Sequence, residues 1–472
     1  FRKRICFQGD GPGGSAHANM EKHRSYHIWT IGCQMNLADS QRVAAGLERL
    51  GYTATARAED ADIVVLNTCV VRQQPEDKAV GRLQQLRSVK AEHPERVLAL
   101  MGCMVGAREV AALEQRFPWV DLFLPPSDPT ELWAYLAQRE LLDEAQTLIA
   151  DAESRRLALG RTDTVLPTSE EGRAVSAYVP IVLGCSHACT YCVIPYRRGP
   201  ERSRPLEAIV AEATQLASQG VREITLLGQI VDRYGYDLPE FAGTTETPLV
   251  TLLRRVHEIA GLERLRFLTS HPNWMRDDLL DAVATLPKVC EHIEVPVQAG
   301  DDEVLEHMRR GYTVEDYRRL VARLRERIPG VSIATDIIVG FPGETEAQFE
   351  NTVALLETLQ LDKAHIARYS PRPLTVATRR FKDDVPYEEK ERRRRALEQV
   401  QARILKTLNA RLEGQQVEVL VEGEKKGRWF GRTRTDRLVF FAAEGNWLGR
   451  LATVKVTWSG PWSLIGEPVA AE

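Results

Sequence analysis

The feature that most constrains this chain is a short run that contains three cysteines, Cys185, Cys189 and Cys192. Three thiolates can bind three irons of a [4Fe-4S] cluster and leave the fourth iron open to a small molecule. Structural zinc with His187 as the fourth ligand is the alternative, although His187 lies inside the run and makes a tetrahedral site awkward. The spacing therefore predicts a metal-binding loop and favours an iron–sulfur cluster with one open iron.

A second set of cysteines follows apolar runs in the first third of the chain. Residues 28–31, 63–66 and 97–101 are typical of buried strands, and residues 39–50 and 75–90 of helices, which together predict a parallel α/β sheet. The three cysteines that come just after the predicted strands are Cys33, Cys69 and Cys103. Ligands collect beyond the carboxyl ends of parallel strands, so these thiols are expected to converge. A lone cysteine is usually a small buried hydrophobe, but three equivalent positions predict a second cluster with one open iron.

Composition sets limits on location and partners. Charged residues make up 27% and hydrophobic residues 43% of the 472-residue chain, as in an ordinary soluble protein. With no run long enough to cross a membrane and no signal peptide, we expect a cytoplasmic protein whose eight cysteines serve metal binding rather than disulfides. We assign no metal role to Cys6 or Cys290. The net charge of −4 means that any RNA binding must come from local basic patches.

Changes in pattern divide the chain into segments. We expect residues 1–25 to be disordered or non-native, since the stretch before Met20 is rich in glycine and polar residues. An α/β domain is predicted for residues 26–145, a linker for 146–175, a second βα series for 176–405 and an all-β domain for 410–470.

The second βα series predicts a partly closed barrel. Its predicted strands are residues 179–183, 223–227, 265–268, 292–295, 332–337 and 363–367. A predicted helix at 206–219 would bury Leu206, Val210, Ala213 and Ala217, and another at 345–358 begins with a Thr345/Gln348 capping box. Six βα units form a split barrel, with the cysteine run after the first strand, at the end where active sites of such barrels lie.

The last segment predicts a small β-barrel that binds RNA. Residues 417–421, 438–441 and 453–458 alternate as strands do. The predicted loop at 425–437 includes Trp429 and Phe430 and carries six basic residues, which are Lys425, Lys426, Arg428, Arg432, Arg434 and Arg437. Basic groups bind phosphates and aromatic rings stack on bases, so this loop is a candidate RNA-binding surface; a solvated charged loop is the alternative.

The cysteine run, with Tyr191 before the last thiol, resembles the signature of the radical S-adenosylmethionine (SAM) superfamily. From 26 to 467 the chain resembles the methylthiotransferases, and within them the branch that modifies dimethylallylated adenosine in tRNA. The sequence motifs on which this resemblance rests are residues 32–36, 67–69, 189–196, 308–313 and 335–344.

The resemblance implies a three-domain α/β enzyme. A doubly wound N-terminal domain would hold an auxiliary [4Fe-4S] cluster on Cys33, Cys69 and Cys103. A partial (β/α)6 TIM-like barrel would hold the catalytic cluster on Cys185, Cys189 and Cys192, and a C-terminal TRAM domain would bind RNA. At the catalytic cluster one SAM would yield the radical that removes hydrogen from C2 of adenine, and a second SAM would methylate sulfur held at the auxiliary cluster.

The resemblance also implies cofactors and partners. Two clusters and two SAM molecules would serve each turnover, and the residues expected at SAM are Tyr191, Gly228, Gln229, Gln298 and Asp336. The substrate would be tRNA with isopentenylated adenosine 37, converted to its 2-methylthio form by a monomer without membrane attachment. A flavodoxin- or ferredoxin-type electron donor and a sulfur donor would be needed. Arg198 and Arg202 could pair with the SAM carboxylate or with RNA phosphate.

Four residues of the expected substrate pocket differ from those usual in the family. Ile230 and Asp232 stand where asparagines are usual, Ala299 stands where a serine is usual, and Leu374 stands where a glycine is usual. One rival function is a sister methylthiotransferase acting on threonylcarbamoyl-adenosine or on an aspartate of a ribosomal protein. Another is a non-catalytic RNA-binding protein whose thiols hold structural metal.

Overall fold

A computed structural model of the chain describes residues 24–106, 110–140, 146, 148–149 and 166–469. Residues 1–23 of the predicted N-terminal extension, Cys6 and most of the predicted linker lie outside these residues, whereas Ser25, the last residue of that predicted extension, lies in the first strand. The described chain forms two compact units. One runs up to Glu171 and includes Tyr178–Ser186 and Val193–Gln219; the other consists of Gly172–Ala177, His187–Cys192 and the chain from Gly220 onward. No helix within the described ranges combines the length and apolarity needed to cross a bilayer.

The first unit contains the predicted parallel sheet. Its strands are β1 (Ser25–Thr30), β2 (Thr53–Ala54), β3 (Ile63–Thr68), β4 (Val97–Gly102) and β5 (Leu122–Leu124), in the order β2-β1-β3-β4-β5. The helices between and after them are α1 (Gln34–Arg49), α2 (Gln73–Glu92), α3 (Val110–Arg116) and α4 (Thr130–Glu140). The prediction of a parallel α/β domain is confirmed.

Helices cover both faces of this sheet because successive strand residues point to opposite sides. Val65 belongs to the apolar cluster that includes Leu47 of α1 and Leu132 of α4. Its neighbour Leu66 belongs to a separate cluster with Leu83 of α2. Strands buried on both faces read as continuous apolar runs, which is why the sequence revealed them.

The βα series that follows supplies six strands to the predicted barrel. They are β6 (Ser176–Pro180), β9 (Glu223–Leu227), β10 (Arg264–Leu268), β11 (His292–Glu294), β12 (Ser332–Val339) and β13 (Lys363–Arg368), in sheets ordered β10-β9-β6 and β11-β12-β13. A parallel bridge joins Leu265 of β10 to Val289, which precedes β11 in the chain. A short antiparallel pair, β7 (Val182–Leu183) with β8 (Arg202–Ser203), flanks the cysteine run. The predicted partial barrel is confirmed.

The helices of this series alternate with the strands. They are α5 (Ile194–Arg198), α6 (Leu206–Ser218), α7 (Pro248–His257), α8 (Asp277–Thr285), α9 (Asp302–His307), α10 (Val314–Arg327), α11 (Glu346–Leu359), α12 (Val376–Arg380) and α13 (Tyr387–Ala410). The predicted capping box is present on α11, where the Thr345 hydroxyl accepts from Gln348 N–H and the Gln348 side chain accepts from Thr345 N–H.

The buried face of α6 corrects the prediction. The helix buries Ile209, Glu212, Ala213 and Leu216, so Ala213 alone of the predicted four is fully buried. A charged residue takes a core position because Glu212 pairs with Arg204 at 2.6 Å and with Arg42 at 2.7 Å. A buried carboxylate is tolerated when it is paired, and apolar periodicity alone could not reveal this.

The C-terminal domain is a closed barrel, as predicted. Its strands are β14 (Gln416–Lys425), β15 (Arg428–Thr433), β16 (Leu438–Phe441), β17 (Leu451–Ser459) and β18 (Leu464–Pro468), in the order β14-β15-β16-β18-β17. The predicted loop at 425–437 was wrong in part, because β15 runs through it and pairs with both β14 and β16.

Two buried arginines near the start of β10 donate hydrogen bonds to this C-terminal barrel. Arg264 donates to Arg432 O at 2.6 Å and to Glu418 Oε1 at 2.8 Å. Arg266 donates to Thr433 O at 2.8 Å and to Arg434 O at 2.7 Å. The contact lies at the amino end of β10, whereas ligands of parallel barrels bind at the carboxyl ends of the strands.

Candidate functional site

The structure brings Cys33, Cys69 and Cys103 to one edge of the N-terminal sheet. Cys69 and Cys103 come directly after β3 and β4, and Cys33 is the third residue after β1. The parallel register of these strands pairs Thr30 with Asn67 and Thr68 with Gly102. Burial, together with the charges of Cys103 and Cys33, raises the pKa of Cys69 to about 12. The three thiols are therefore close enough to interact electrostatically. In the absence of a metal ion, the thiol of Cys69 stays protonated.

A network of buried amides holds this edge together. Cys33 Sγ donates to Asn36 Oδ1 at 3.3 Å, and Asn36 Nδ2 donates to Asn67 Oδ1 at 2.7 Å. Asn67 Nδ2 donates in turn to Asn36 O and to Ser40 Oγ. Gly102 lies at φ 98°, and a Cβ there would be 2.5 Å from Asn67 Oδ1. The asparagines carried the family resemblance, but their role as supports for the cysteine loops emerges only from these contacts.

Arg198 at the end of α5 faces the same edge, which the sequence did not predict. Its side chain is buried, and it donates from Nη1 to Ser127 Oγ at 3.1 Å. Although burial opposes it, the charges of Cys103 and Asp39 raise the pKa of Arg198 above its ordinary value. The structure thus places Arg198 at the first set of cysteines, and its pairing with SAM or with RNA phosphate stays a prediction.

The donor set at this edge fits an anionic iron–sulfur group. Nε and Nη2 of Arg198 make no hydrogen bond of good geometry among the described residues, although Nη2 lies 3.7 Å from Asp39 Oδ2. Buried donors without well-placed acceptors are costly, and a thiolate-bound cluster would supply further negative charge beside them. Within the described ranges, no three Cys, His, Asp or Glu side chains form a group able to hold a single metal ion. Each thiolate of a cluster binds a different iron, so its ligands need not surround one point.

The cysteines of the second motif are held by backbone contacts. Cys185 N–H donates to Gly199 O at 3.1 Å, and Cys192 N–H donates to Cys189 O at 3.2 Å. Cys189 Sγ accepts from Arg310 Nη1 at 3.2 Å. The seven described cysteines are all free thiols. The donor chemistry therefore also fits an iron–sulfur group at this motif.

Tyr191 is half-buried and lies among apolar side chains. It packs against the cluster formed by Met308, Tyr312, Phe341 and their neighbours. Burial raises the pKa of Tyr191 well above its ordinary value. The phenol thus remains protonated.

The residues predicted at SAM lie on three elements of the barrel. Gly228 and Gln229 follow β9, and Gln298, at φ 75°, donates through its N–H to Asp336 O at 2.9 Å. Asp336 is half-buried and lies inside β12, which continues to Val339. The strand predicted at 332–337 thus extends two residues further. Their contact with SAM stays a prediction.

Glu294 on β11 is a candidate site residue that the sequence analysis missed. Burial, followed by the charge of Asp336, raises the pKa of Glu294 to about 7. Glu294 and Asp336 thus form an acidic pair on neighbouring strands β11 and β12. A glutamate inside the predicted strand at 292–295 was the available signal.

The raised pKa of Glu294 predicts a pH-dependent stability. Above about pH 4.5 the unfolded chain releases the proton that folded Glu294 retains, so this group lowers stability as pH rises through 7. Glutamine does not titrate, so this pH-dependent loss of stability is absent in Glu294→Gln. Between pH 4.5 and 8, the free energy of unfolding of the variant should rise relative to that of the wild type by on the order of 3 kcal/mol. Thermal unfolding at several pH values measures it, with exposed Glu306→Gln as the control. Parallel pH curves for wild type and Glu294→Gln would contradict the prediction.

The four residues that differ from those usual in the family lie in distinct environments. Ile230 and Ala299 are buried, and Ala299 belongs to the apolar cluster that also packs Tyr191. The carboxylate of buried Asp232 accepts from His271 N–H at 3.0 Å, which fixes the chain after β10. Leu374 is exposed and lies at φ 73°, a conformation that favours glycine.

The candidate RNA-binding residues fall into two groups. Lys425, Lys426 and Arg428 are exposed around the turn between β14 and β15. Three further arginines make ion pairs within the unit: Arg432 with Asp436 at 3.0 Å, Arg434 with Glu291 at 2.7 Å and Arg437 with Asp362 at 2.6 Å. Trp429 is half-buried and donates from Nε1 to Ala443 O at 3.2 Å. The exposed group therefore offers the more accessible positive charge.

Three family profiles match consecutive parts of the chain. Residues 25–125 match a family described as "Uncharacterized protein family UPF0004". Residues 179–356 match the radical SAM superfamily, and residues 410–469 match the TRAM domain.

Solved structures support the same fold. The radical S-adenosylmethionine methyltransferase TsrM from Kitasatospora setae, solved with cobalamin and a [4Fe-4S] cluster bound, aligns with a TM-score of 0.51. The alignment covers 75% of this chain and 77% of that chain at 18% identity. The cobalamin-dependent enzyme OxsB aligns with a TM-score of 0.50, over 80% of this chain and 56% of its own, at 11% identity. At such identities the likeness concerns the fold alone.

Relatives of known name match almost the whole chain. The tRNA-2-methylthio-N(6)-dimethylallyladenosine synthase of Roseiflexus sp. (strain RS-1) is 48% identical over 448 residues, which are 94% of this chain and 90% of the relative. The protein of the same name from Herpetosiphon aurantiacus is 46% identical over 460 residues, 96% of this chain and 99% of its own. The chain therefore belongs to the family of tRNA-2-methylthio-N(6)-dimethylallyladenosine synthases, within the radical SAM superfamily.

Proposed function

We propose that this protein is a tRNA methylthiotransferase that converts N6-dimethylallyl-adenosine 37, next to the anticodon, to its 2-methylthio derivative. The observation that carries the proposal is the 48% identity to a synthase of that name over 94% of the chain. The two cysteine motifs support it, because insertion of sulfur at an unactivated C–H carbon needs more than acid–base chemistry.

Two [4Fe-4S] clusters would bind at the two motifs. Cys185, Cys189 and Cys192 would hold the catalytic cluster, and Cys33, Cys69 and Cys103 the auxiliary one. When bound, these groups and SAM supply radical and sulfur-transfer chemistry that amino acid side chains lack. Two SAM molecules would be used in each turnover.

The chain's own residues position these groups and exclude water. Asn36 and Asn67 would fix the loops of the auxiliary triad, and Arg198 would balance its negative charge. The packing of Tyr191 against Met308 and Phe341 would shield the catalytic motif. A dry site strengthens electrostatic interactions and protects reactive species from side reactions.

The TRAM domain would bind tRNA mainly by charge. Replacing exposed Lys425 and Lys426 by Ala should weaken binding of all tRNAs alike and lower the salt dependence, log Kd against log salt, by about 2. The reason is that each lysine near a phosphate displaces roughly one counterion. Fluorescence anisotropy at several salt concentrations measures the slope. Arg319→Ala with Arg325→Ala on α10 is the charge-matched control, and an equal slope in both doubles would rule out this surface.

The choice among substrates is tested by SAM cleavage. The reconstituted enzyme is incubated anaerobically with SAM, reductant, sulfide and one of three tRNAs: dimethylallylated, threonylcarbamoylated or unmodified. Formation of 5′-deoxyadenosine should be strongest with the dimethylallylated tRNA. Preference for threonylcarbamoylated tRNA would favour the sister enzyme. A colourless protein containing zinc, with no cleavage of SAM, would favour the non-catalytic RNA-binding alternative.

A further inference from the structure

The turn after α9 is bonded to the second cysteine motif. Thr190, between two residues of that motif, donates through its N–H to Met308 O at 3.1 Å. The Thr190 hydroxyl donates to His307 O at 2.8 Å. The turn continues through Arg309 at φ 56° and Gly311 at φ 71°, which reverse the chain and bring Arg310 inward. The sequence motif at residues 308–313 thus contacts the cysteine motif directly.

Arg310 is buried, and each of its three side-chain nitrogens has an acceptor. Nη1 donates to Cys189 Sγ at 3.2 Å and to Tyr191 OH at 3.4 Å. Nε donates to Tyr312 OH at 2.9 Å, and Nη2 to Pro296 O at 3.4 Å. These contacts from several directions fix the plane of the guanidinium. Within them, Cys189 is the partner able to bear a negative charge when it binds iron.

We propose that Arg310 is a positioning residue that orients Cys189 and raises the reduction potential of the cluster bound at Cys185, Cys189 and Cys192. A hydrogen bond to a ligand sulfur, together with a buried positive charge, favours the reduced and more negative form of a cluster. The rigid fork of arginine makes several hydrogen bonds at once, which lysine cannot reproduce. This inference rests on the proposed function, because it requires a redox-active cluster at this motif.

The test measures potential, which a purely structural residue would not shift. Arg310→Gln, Arg310→Lys and the wild type are reconstituted anaerobically, analysed for iron and sulfide, and titrated with reductant under spectroscopic observation. The constant for one-electron reduction of the catalytic cluster should fall about tenfold in Arg310→Gln, equivalent to about 59 mV. Arg310→Lys should lie between Arg310→Gln and the wild type, since it retains the charge but not the fork. The neighbouring, exposed Arg309→Lys is the matched control and should equal the wild type.

The outcomes separate this inference from the proposed function. If Arg310→Gln binds wild-type amounts of iron at the wild-type potential, the inference is overturned while the function stands. If Arg310→Gln holds no cluster, Arg310→Lys decides: a potential below that of Arg309→Lys supports the inference, and an equal potential overturns it. A wild-type protein that binds no iron would overturn the proposed function and, with it, this inference.

Discussion

Replacement of Cys185, Cys189 and Cys192 by alanine is expected to abolish both 5′-deoxyadenosine and the methylthiolated nucleoside. These thiols would be the ligands of the cluster that cleaves SAM, and alanine offers no donor in their place. Iron content should fall from about eight to about four atoms per protein. Liquid chromatography of the reaction mixture and iron analysis of the same preparation measure the three quantities.

A variant at Cys290 serves as the control for this experiment. Cys290 is a buried free thiol beside Arg266, with no metal role assigned to it. Cys290→Ala should retain iron and activity while losing a small amount of stability. If the triple variant at the second motif cleaved SAM at the wild-type rate, the assignment of the catalytic cluster to that motif would be wrong.

Replacement of Cys33, Cys69 and Cys103 by alanine should separate the two halves of the reaction. SAM cleavage should persist at a reduced rate, because the second motif is intact, whereas the methylthiolated nucleoside should disappear. Iron should again fall to about four atoms per protein. The measurement is the ratio of 5′-deoxyadenosine to methylthiolated nucleoside. This ratio should rise above the wild-type value until the amount of nucleoside falls below the detection limit.

If this variant formed neither 5′-deoxyadenosine nor the methylthiolated nucleoside, the assignment of separate half-reactions to the two cysteine motifs would be unsupported. A fold control is then needed, since Cys69 and Cys103 are buried next to the amide network. Circular dichroism and thermal unfolding of the variant distinguish a collapsed N-terminal domain from a direct requirement for these thiols. Wild-type yield of methylthiolated nucleoside from a folded triple variant would refute the auxiliary site.

The sequence revealed those features that depend on local pattern. Strands β3 and β4 are continuous apolar runs, and each is followed by a cysteine, so the convergence of Cys69 and Cys103 follows from parallel topology alone. The capping box of α11 is also a local signal, because Thr345 and Gln348 stand only three positions apart in the sequence. A short motif that carries its own geometry can be recognised without knowing the rest of the fold.

The residues that the sequence did not reveal act through distant contacts. Arg198 reaches Ser127 and Asp39, and Arg310 reaches Cys189, across separations that no periodicity encodes. The same applies to Glu212, whose buried position depends on Arg42 and Arg204. A buried charge is stable only when its partners are in place, so its role becomes visible only once the fold assembles them.

The central claim is that this protein adds a methylthio group to a dimethylallylated adenosine of tRNA. The most direct test is to incubate the anaerobically reconstituted protein with SAM, reductant, sulfide and dimethylallylated tRNA, digest the RNA and determine the masses of the nucleosides. The account predicts a new nucleoside in which one hydrogen of dimethylallyl-adenosine is replaced by one methylthio group. Absence of this nucleoside, from a protein shown to hold both clusters and to bind the tRNA, would contradict the account.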